Sequence, residues 1–222
     1  SLSYRSGDTY LASAQGRSNQ LAMFIDSTGR VYSVMAGTLP TARGQGEPLS
    51  SRFKPPDGAA FCGAMIGADK QKYLLASESG YGFIATLGDL VSRNKAGKAV
   101  LRVGASGKSV VPAPVPGDTE CLIAAVSSIG RLLVFEMDEL PELAKGKGNK
   151  IINIPTKKYQ SGEEKMVAVA VIPEDGNLQV HTASRTMTIK WDDLDDYYGD
   201  RALRGSLLPK GWRKVVRLSG AS

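Results

Sequence analysis

The stretch at residues 128–154, SIGRLLVFEMDELPELAKGKGNKIINI, sets the pattern for the whole chain. It contains a glycine turn at Gly130, an apolar run with β-branched and aromatic residues, and a short acidic segment that ends at Leu140. A loop of lysine and glycine follows, and residues 151–154 form a second apolar run. This order predicts a strand, one helical turn with its leucine facing inward, a basic loop and another strand.

The same order of features occurs four times with a period of about 50 residues, which is typical of solenoids, propellers and related arrays. The tight-turn position is occupied by Gly29, Gly80, Gly130 and Ser184. The leucine that follows each turn is Leu39, Leu90, Leu140 and Leu194. Apolar runs flank every turn, which predicts a β-hairpin in each copy.

Two further strands complete each predicted unit. One follows the basic loop, at residues 100–103, 151–154 and 215–218, with 49–53 as a weaker match. The other closes the unit, at residues 61–66, 110–111 and 167–172. A four-stranded unit of this kind is one blade, so the sequence predicts an all-β, propeller-like array.

The predicted blades span residues 20–66, 72–111, 121–172 and 177–222, within a single domain over residues 1–222. Residues 9–14 resemble the closing strand of an earlier unit, so residues 1–19 are expected to be a partial N-terminal blade. Because the chain also begins with serine rather than methionine, we expect a fragment cut inside or just after a preceding blade.

The charge balance favours a polyanionic partner, although a modest positive charge also serves solubility. The chain has 28 Lys+Arg against 22 Asp+Glu, a formal net charge of +6. It has no apolar run of about 18 residues and no signal peptide, so we expect no membrane contact and a cytoplasmic location.

Residues suited to catalysis or metal binding are scarce. Cys62, Cys121 and the single histidine, His181, cannot complete a four-ligand zinc site, and one histidine leaves little room for a catalytic triad. We expect both cysteines to be reduced and to pack as small apolar residues, and His181 to be a strand residue. The sequence therefore predicts no catalytic residue, no cofactor site and no metal site in this chain.

Two other features have both a functional and a structural interpretation. The acidic residues Asp192, Asp193, Asp195 and Asp196 could ligate a divalent ion, but we expect them to cap and solvate a short helix after Trp191. Trp191 and Trp212 are expected to pack in the core or in hairpins rather than to stack on bases.

The basic loops recur at one place in successive units, which puts them along one rim of the array. Lysine and arginine there would form a curved positive stripe, and glycine lets the backbone approach a phosphate closely. This pattern predicts contact with the backbone of double-stranded DNA, independent of sequence. The predicted DNA-binding residues are Arg43, Arg93, Lys95, Lys98, Lys145, Lys147, Lys150, Arg201, Arg204, Lys210, Arg213 and Lys214.

Several phrases also resemble a known family, the C-terminal domain of the A subunit of bacterial topoisomerase IV. They are DSTGR at residues 26–30, LPTARGQGEPL at 39–49, ASESGYGF at 76–83 and KGKGNKIINIP at 145–155. The resemblance covers nearly the whole chain and is loosest after Ser161. It implies a β-pinwheel, whose blades exchange strands with their neighbours, with about four complete blades and one partial N-terminal blade here.

The resemblance also implies a function. The domain would contact and bend DNA, and would position segments for ATP-dependent strand passage in decatenation and relaxation during chromosome segregation. The cleaving tyrosine would lie in the preceding domain of the same polypeptide, and ATP and magnesium would bind largely through the B subunit of the enzyme. The two kinds of subunit would form a heterotetramer at the nucleoid. The parent protein would thus be a type II DNA topoisomerase, an ATP-hydrolysing isomerase.

Two alternatives stay open at this point. One is a propeller-like protein interaction module, whose rim would meet an acidic protein. The other is a gyrase-type DNA-wrapping domain, but the gyrase box Gln-Arg-Arg-Gly-Gly-Lys-Gly has no intact copy here. Residues 42–46, 94–98 and 145–150 resemble degraded versions of it.

Overall fold

The computed structural model describes residues 10–41, 43–117 and 120–222, and its regular structure is mostly β. The strands in chain order are β1 (Leu21–Asp26), β2 (Arg30–Met35), β3 (Phe61–Gly67), β4 (Lys72–Ala76), β5 (Tyr81–Thr86), β6 (Lys98–Ala99), β7 (Ala113–Pro114), β8 (Cys121–Ser127), β9 (Arg131–Glu136), β10 (Asn149–Lys150), β11 (Met166–Pro173), β12 (Asn177–Thr182), β13 (Thr186–Ile189), β14 (Ser206–Leu207) and β15 (Val215–Ala221).

The helical segments are short. They are α1 (Leu87–Leu90), α2 (Thr156–Gln160) and 3-10 helices at Ala36–Thr38, Leu49–Ser51, Met137–Glu139 and Trp191–Tyr197. One of them directly follows each hairpin, which confirms the predicted helical turn. Leu90, Leu140 and Leu194 are buried beside these turns, whereas Leu39 is half-buried.

Four antiparallel sheets are each built around one hairpin. Their strand orders are β3-β1-β2-β6, β7-β4-β5-β10, β11-β8-β9-β14 and β15-β12-β13. The first hairpin strand pairs with the strand that closes its own unit, namely β3, β7, β11 or β15. The four hairpins predicted from the glycine and serine turns are therefore confirmed.

The outermost strand of each of the first three sheets comes from the next unit along the chain. Strands β6, β10 and β14 each follow the next hairpin and pair back with β2, β5 and β9. This exchange joins neighbouring blades and is the feature expected of a β-pinwheel, so the predicted all-β pinwheel is confirmed.

The predicted positions of several short strands are wrong. Strand pairing after the second and third loops ends at Ala99 and Lys150. The N–H groups of the next residues, Val100 and Ile151, bond instead to the turn carbonyls of Gly29 and Gly80, and their side chains are buried. Residues 49–53 form a 3-10 helix rather than a strand, and the closing strand predicted at 110–111 lies instead at Ala113–Pro114. Residues 215–218 do form a strand, but it closes the fourth unit.

Neighbouring sheets bury both faces of the strands between them. On β4, Tyr73 and Leu75 face the core between the first and second sheets, while Leu74 and Ala76 face the core between the second and third. A third core separates the third and fourth sheets. Successive residues of a strand point to opposite faces, so a strand buried on both faces has a continuous apolar run rather than an alternating one.

The first three hairpin turns require glycine because the next unit packs directly on them. Gly29, Gly80 and Gly130 have φ values of 85°, 91° and 85°. A Cβ at Gly29 would overlap the carbonyl oxygen of Leu101. The fourth hairpin differs, because in the part of the chain that the structure describes no strand from a following unit pairs with β13. Its turn residue, Ser184, has no positive φ.

The segment before the first hairpin does not form the predicted closing strand. Thr9 lies outside the described residues, and residues 10–14 make no strand. Instead the segment reaches the last strand, where Arg217 Nη1 donates a hydrogen bond to the hydroxyl of Tyr10 at 3.2 Å. Among the described residues, no helix has the length and apolar character needed to cross a membrane.

Candidate nucleic-acid interface

The predicted DNA-binding residues lie on four loops, which we number as rim loops 1 to 4. Loop 1 covers residues 43–46, loop 2 covers 93–98, loop 3 covers 145–150 and loop 4 covers 201–214. Each loop follows the helical turn after a hairpin, and loops 2, 3 and 4 contain or lead into the donated strands β6, β10 and β14. The exchange of strands therefore fixes where each loop lies relative to the preceding blade.

Backbone hydrogen bonds connect consecutive loops. The N–H of Lys54, which lies after the 3-10 helix that follows loop 1, donates to the carbonyl of Lys95 in loop 2 at 2.8 Å. Gly146 in loop 3 donates to the carbonyl of Val100, just beyond loop 2, and accepts from the N–H of Arg102, both at 2.8 Å.

The same connection joins loop 3 to loop 4. The N–H of Ala202 in loop 4 donates to the carbonyl of Ile151 at 2.9 Å, and the N–H of Asn153 donates to the carbonyl of Leu203 at 2.9 Å. Each loop is thus bonded to the segment that follows the previous loop. We call this connected row of four loops the rim track.

Six of the predicted residues present free cations on the track. Within the described ranges, their side chains are exposed and have no hydrogen-bond or ion-pair partner. They are Arg43, Arg93, Lys95, Lys145, Lys210 and Lys214. Loop 2 adds Lys98 and loop 3 adds Lys147 and Lys150, whereas the further basic residues of loop 4 are all arginines.

The remaining lysines of loops 2 and 3 have partners within the protein. Lys98 Nζ donates to the carbonyl of Asp89 at 2.8 Å. Lys147 Nζ lies 3.9 Å from the ring centroid of Tyr81, and Lys150 Nζ lies 5.9 Å from it. A cation over an aromatic face is attracted by the ring quadrupole, so the Tyr81 ring holds Lys147 in place.

The arginines of loop 4 point inward. Arg201 Nη1 donates to the carbonyl of Lys150 at 2.7 Å, and Arg213 Nε donates to the carbonyl of Leu208 at 2.8 Å. Arg204 Nη1 donates to the carbonyl of Asn153 at 2.8 Å and pairs at 2.9 Å with the Glu164 carboxylate, which is 0% exposed. These three side chains support the loop, so its exposed cations are Lys210 and Lys214.

The acidic run beside loop 4 is solvated, as predicted, but it does not cap a helix. The 3-10 helix Trp191–Tyr197 carries four exposed acidic residues, Asp192, Asp193, Asp195 and Asp196. Within the described ranges, no side chain caps its N-terminus. No group of three or more metal-ligating side chains occurs in the ranges that the structure covers. The run lowers the positive potential at this end of the track.

The other residues singled out in the sequence are structural. His181 lies in β12, as predicted, with Nε2 3.0 Å from the Ser219 hydroxyl. Its pKa is lowered, mainly by burial and also by the nearby charge of Arg217. Cys121 is buried, and Cys62 is half-buried, which raises the pKa of its thiol to about 11.

The packing role predicted for the tryptophans is confirmed. Trp191 and Trp212 pack against the core between the third and fourth sheets. The guanidinium of Arg185 also stacks over Trp212, 4.1 Å from its ring centroid.

Two residues at the junctions of the track, Lys54 and Arg102, were not among those predicted from the sequence. Lys54 and Arg102 are exposed, and their backbone N–H groups make the bonds between loops 1 and 2 and between loops 2 and 3. Each directly follows a buried apolar residue, Phe53 or Leu101. The only signal in the sequence is a large apolar residue followed by a basic one, Phe53-Lys54 beyond loop 1 and Leu101-Arg102 beyond loop 2.

No protein-family model matches the sequence. The A subunit of DNA topoisomerase 4 from Pseudomonas aeruginosa is 48% identical over 217 residues, which is 98% of this chain and 29% of that protein. Its counterpart from Escherichia coli K12 is 41% identical over 217 residues, again 98% of this chain and 29% of that protein. The chain therefore spans less than a third of these curated relatives.

Solved structures show the same fold. The C-terminal domain of E. coli ParC has a TM-score of 0.80 and 39% sequence identity, covering 98% of this chain and 87% of that one. The C-terminal domain of DNA gyrase A has a TM-score of 0.73 over 100% of this chain and 72% of that one, but at 15% identity it shows the fold alone. The chain belongs to the family of C-terminal β-pinwheel domains found in the A subunit of bacterial DNA topoisomerase IV.

Proposed function

We propose that the domain binds the backbone of double-stranded DNA along the rim track, without reading its sequence. The observation that carries this proposal is the chain of backbone hydrogen bonds that joins the four basic loops in order. Because the loops are fixed side by side, their cations form one extended positive surface rather than four separate patches. A duplex contacting several loops would follow the curvature of the rim and bend.

The electrostatics of the track suit phosphate better than base edges. Its free cations, on loops 1 to 4, have no carboxylate partner within the described part of the chain, so phosphates can pair with them and release condensed counterions. Phosphate contacts fix the position of a protein on the duplex and carry no direct sequence information. The inward arginines and the acidic run weaken loop 4, and loop 1 offers the single cation Arg43, so we expect the strongest contacts at loops 2 and 3.

The longer relatives are named for the topoisomerase to which they contribute, and this chain covers 29% of their length. We infer that the domain is an accessory part of such an enzyme, which orients DNA segments for ATP-dependent strand passage in decatenation and relaxation. Its partners would be the rest of the same polypeptide and the B subunit, in a heterotetramer that would bind ATP and magnesium and act on the nucleoid in the cytoplasm. Full gyrase-type wrapping is not expected, because the gyrase box is absent.

The test is fluorescence anisotropy with labelled duplexes of several lengths and unrelated sequences, titrated at a series of salt concentrations. We expect similar affinities for all sequences, tighter binding of longer duplexes, and a log–log salt slope of about −0.9 for each neutralised phosphate. An affinity that does not change with salt, or a strong preference for one sequence, would contradict the proposal. Binding to an acidic protein without binding to DNA would favour an interaction module instead.

A further inference from the structure

The residue that follows each of the first three hairpin turns contacts the rim loop of the next blade. Arg30 Nε donates to the carbonyl of Ala96 and Nη2 to the carbonyl of Gly97, both at 2.9 Å, and both carbonyls belong to loop 2. In the third blade, Arg131 Nη1 donates to the carbonyl of Gly205 in loop 4 at 3.0 Å.

The second blade makes the corresponding contact with different chemistry. Tyr81 occupies the same position, and its ring lies under the ammonium of Lys147 in loop 3. All three junctions therefore place a cation between the hairpin turn and the next loop. In two of them the hairpin supplies the cation, and in the other the loop does.

We propose that Arg30 and Tyr81 are positioning residues of the DNA interface, which order loops 2 and 3 before DNA binds. This inference rests on the proposed function. A flexible lysine or arginine loses conformational freedom when a phosphate fixes it, and that loss weakens binding. A loop already held in place loses less, so the contacts behind the loop strengthen binding although they touch no phosphate.

The Arg30 contact can be separated from a direct phosphate contact by two substitutions. Arg30→Lys keeps the positive charge but loses the planar guanidinium that reaches two carbonyls. Arg30→Gln loses the charge as well as the guanidinium. A positioning role predicts that both variants bind a duplex about three- to tenfold more weakly than the parent, with an unchanged salt slope. Both still carry every cation of loop 2.

Tyr81 provides an independent test with no change of charge. The Tyr81 hydroxyl makes no hydrogen bond in the described part of the chain, so Tyr81→Phe keeps the ring under Lys147 and should bind as the parent does. Tyr81→Leu removes the aromatic face and should bind about three- to tenfold more weakly, again with the parental salt slope. The pair therefore separates the contribution of the aromatic ring from that of the hydroxyl.

Hydrogen exchange without DNA supplies the structural readout. Arg30→Lys should accelerate exchange at the loop 2 amides of Ala96 and Gly97 while leaving loop 3 as in the parent. Thermal denaturation confirms that each variant is folded at the temperature of the binding assay.

Four outcomes would overturn the inference. Near-parental binding by Arg30→Lys, together with weaker binding and a shallower slope for Arg30→Gln, would assign Arg30 to a phosphate. Parental affinity of both Arg30 variants and of Tyr81→Leu would leave the contacts structural only. An equal loss of duplex affinity in Tyr81→Phe and Tyr81→Leu would show that the aromatic ring does not position Lys147. A parent that binds no duplex would overturn the proposed function, and this inference with it.

Discussion

Replacing Arg204 with methionine tests whether this arginine supports loop 4 from behind. Arg204 Nη1 bonds both the carbonyl of Asn153 and the carboxylate of Glu164. The Glu164 side chain is 0% exposed, and its Oε2 atom has no hydrogen-bond partner among the described residues, so Arg204 balances a fully buried charge. Methionine fills similar space but leaves that charge unpaired.

The expected loss of stability is large. Breaking a buried ion pair by removing one partner destabilises by about 3–5 kcal/mol. Because the Arg204 side chain is 29% exposed, we take the lower end, about 3 kcal/mol. At roughly 2–4 °C for each kcal/mol in a domain of this size, the melting temperature should fall by roughly 6–12 °C.

Thermal and urea denaturation followed by circular dichroism measure this change. Glu164→Gln should be milder than Arg204→Met, because the arginine left behind can reach solvent. The double variant, Arg204→Met with Glu164→Gln, should be more stable than Arg204→Met alone, because no buried charge is left unpaired. A stability of Arg204→Met within about 0.5 kcal/mol of the parent would refute the supporting role of Arg204, and so would a double variant no more stable than Arg204→Met.

Two further predictions concern the hairpin turns and the histidine. Gly104→Ala should lower the free energy of unfolding by about 1–2 kcal/mol, because only its positive φ is strained. Gly29→Ala should lower it by roughly 1–3 kcal/mol more, because the added Cβ would meet the carbonyl of Leu101. Equal losses for the two variants in urea unfolding would show that the next blade does not pack on this turn. Burial and Arg217 lower the pKa of His181, so the unfolded state binds its proton more readily and stability should fall as pH drops through the ordinary histidine pKa of about 6.5. His181→Gln should show a weaker pH dependence than the parent, and an identical dependence would be inconsistent with that sign.

The hairpins could be predicted from the sequence because their signals are local. A glycine turn between two apolar runs indicates a hairpin, and its repetition indicates an array. The donated strands could not be placed, because a two-residue strand has no periodicity. The residues around β6 and β10 pair where the preceding blade offers an edge, which local sequence does not reveal.

The candidate site divides in the same way. Charge and glycine content located the four loops, and the free cations Arg93, Lys95 and Lys145 follow from that pattern. The inward direction of the loop 4 arginines cannot be predicted from it. Arg204, for example, bonds to Asn153 and Glu164, which lie 51 and 40 residues away in sequence. A lysine or arginine on a loop has the same local signature whether it faces solvent or supports the fold.

The control for the central test is a variant with the same change of net charge outside the rim loops. Exposed basic residues suited to it are Arg17, Lys70 and Lys108, each replaced by glutamate. Their side chains make no ion pair in the described ranges. Any loss of DNA binding in this control reports net charge rather than the rim track.

The most direct test of the rim track is the salt dependence of duplex binding when loop 3 is reversed in charge. Replacing Lys145, Lys147 and Lys150 with glutamate should weaken binding more than Arg43→Glu does. It should also make the log–log salt slope shallower by about 2.7, or about 0.9 for each of three lost phosphate contacts. We expect this loss together with near-parental binding by the control. The melting temperature of the loop 3 variant should fall by no more than about 1–4 °C, the cost of the lost contact between Lys147 and Tyr81. If the loop 3 variant binds the duplex with the affinity and salt slope of the parent, DNA does not follow the rim track.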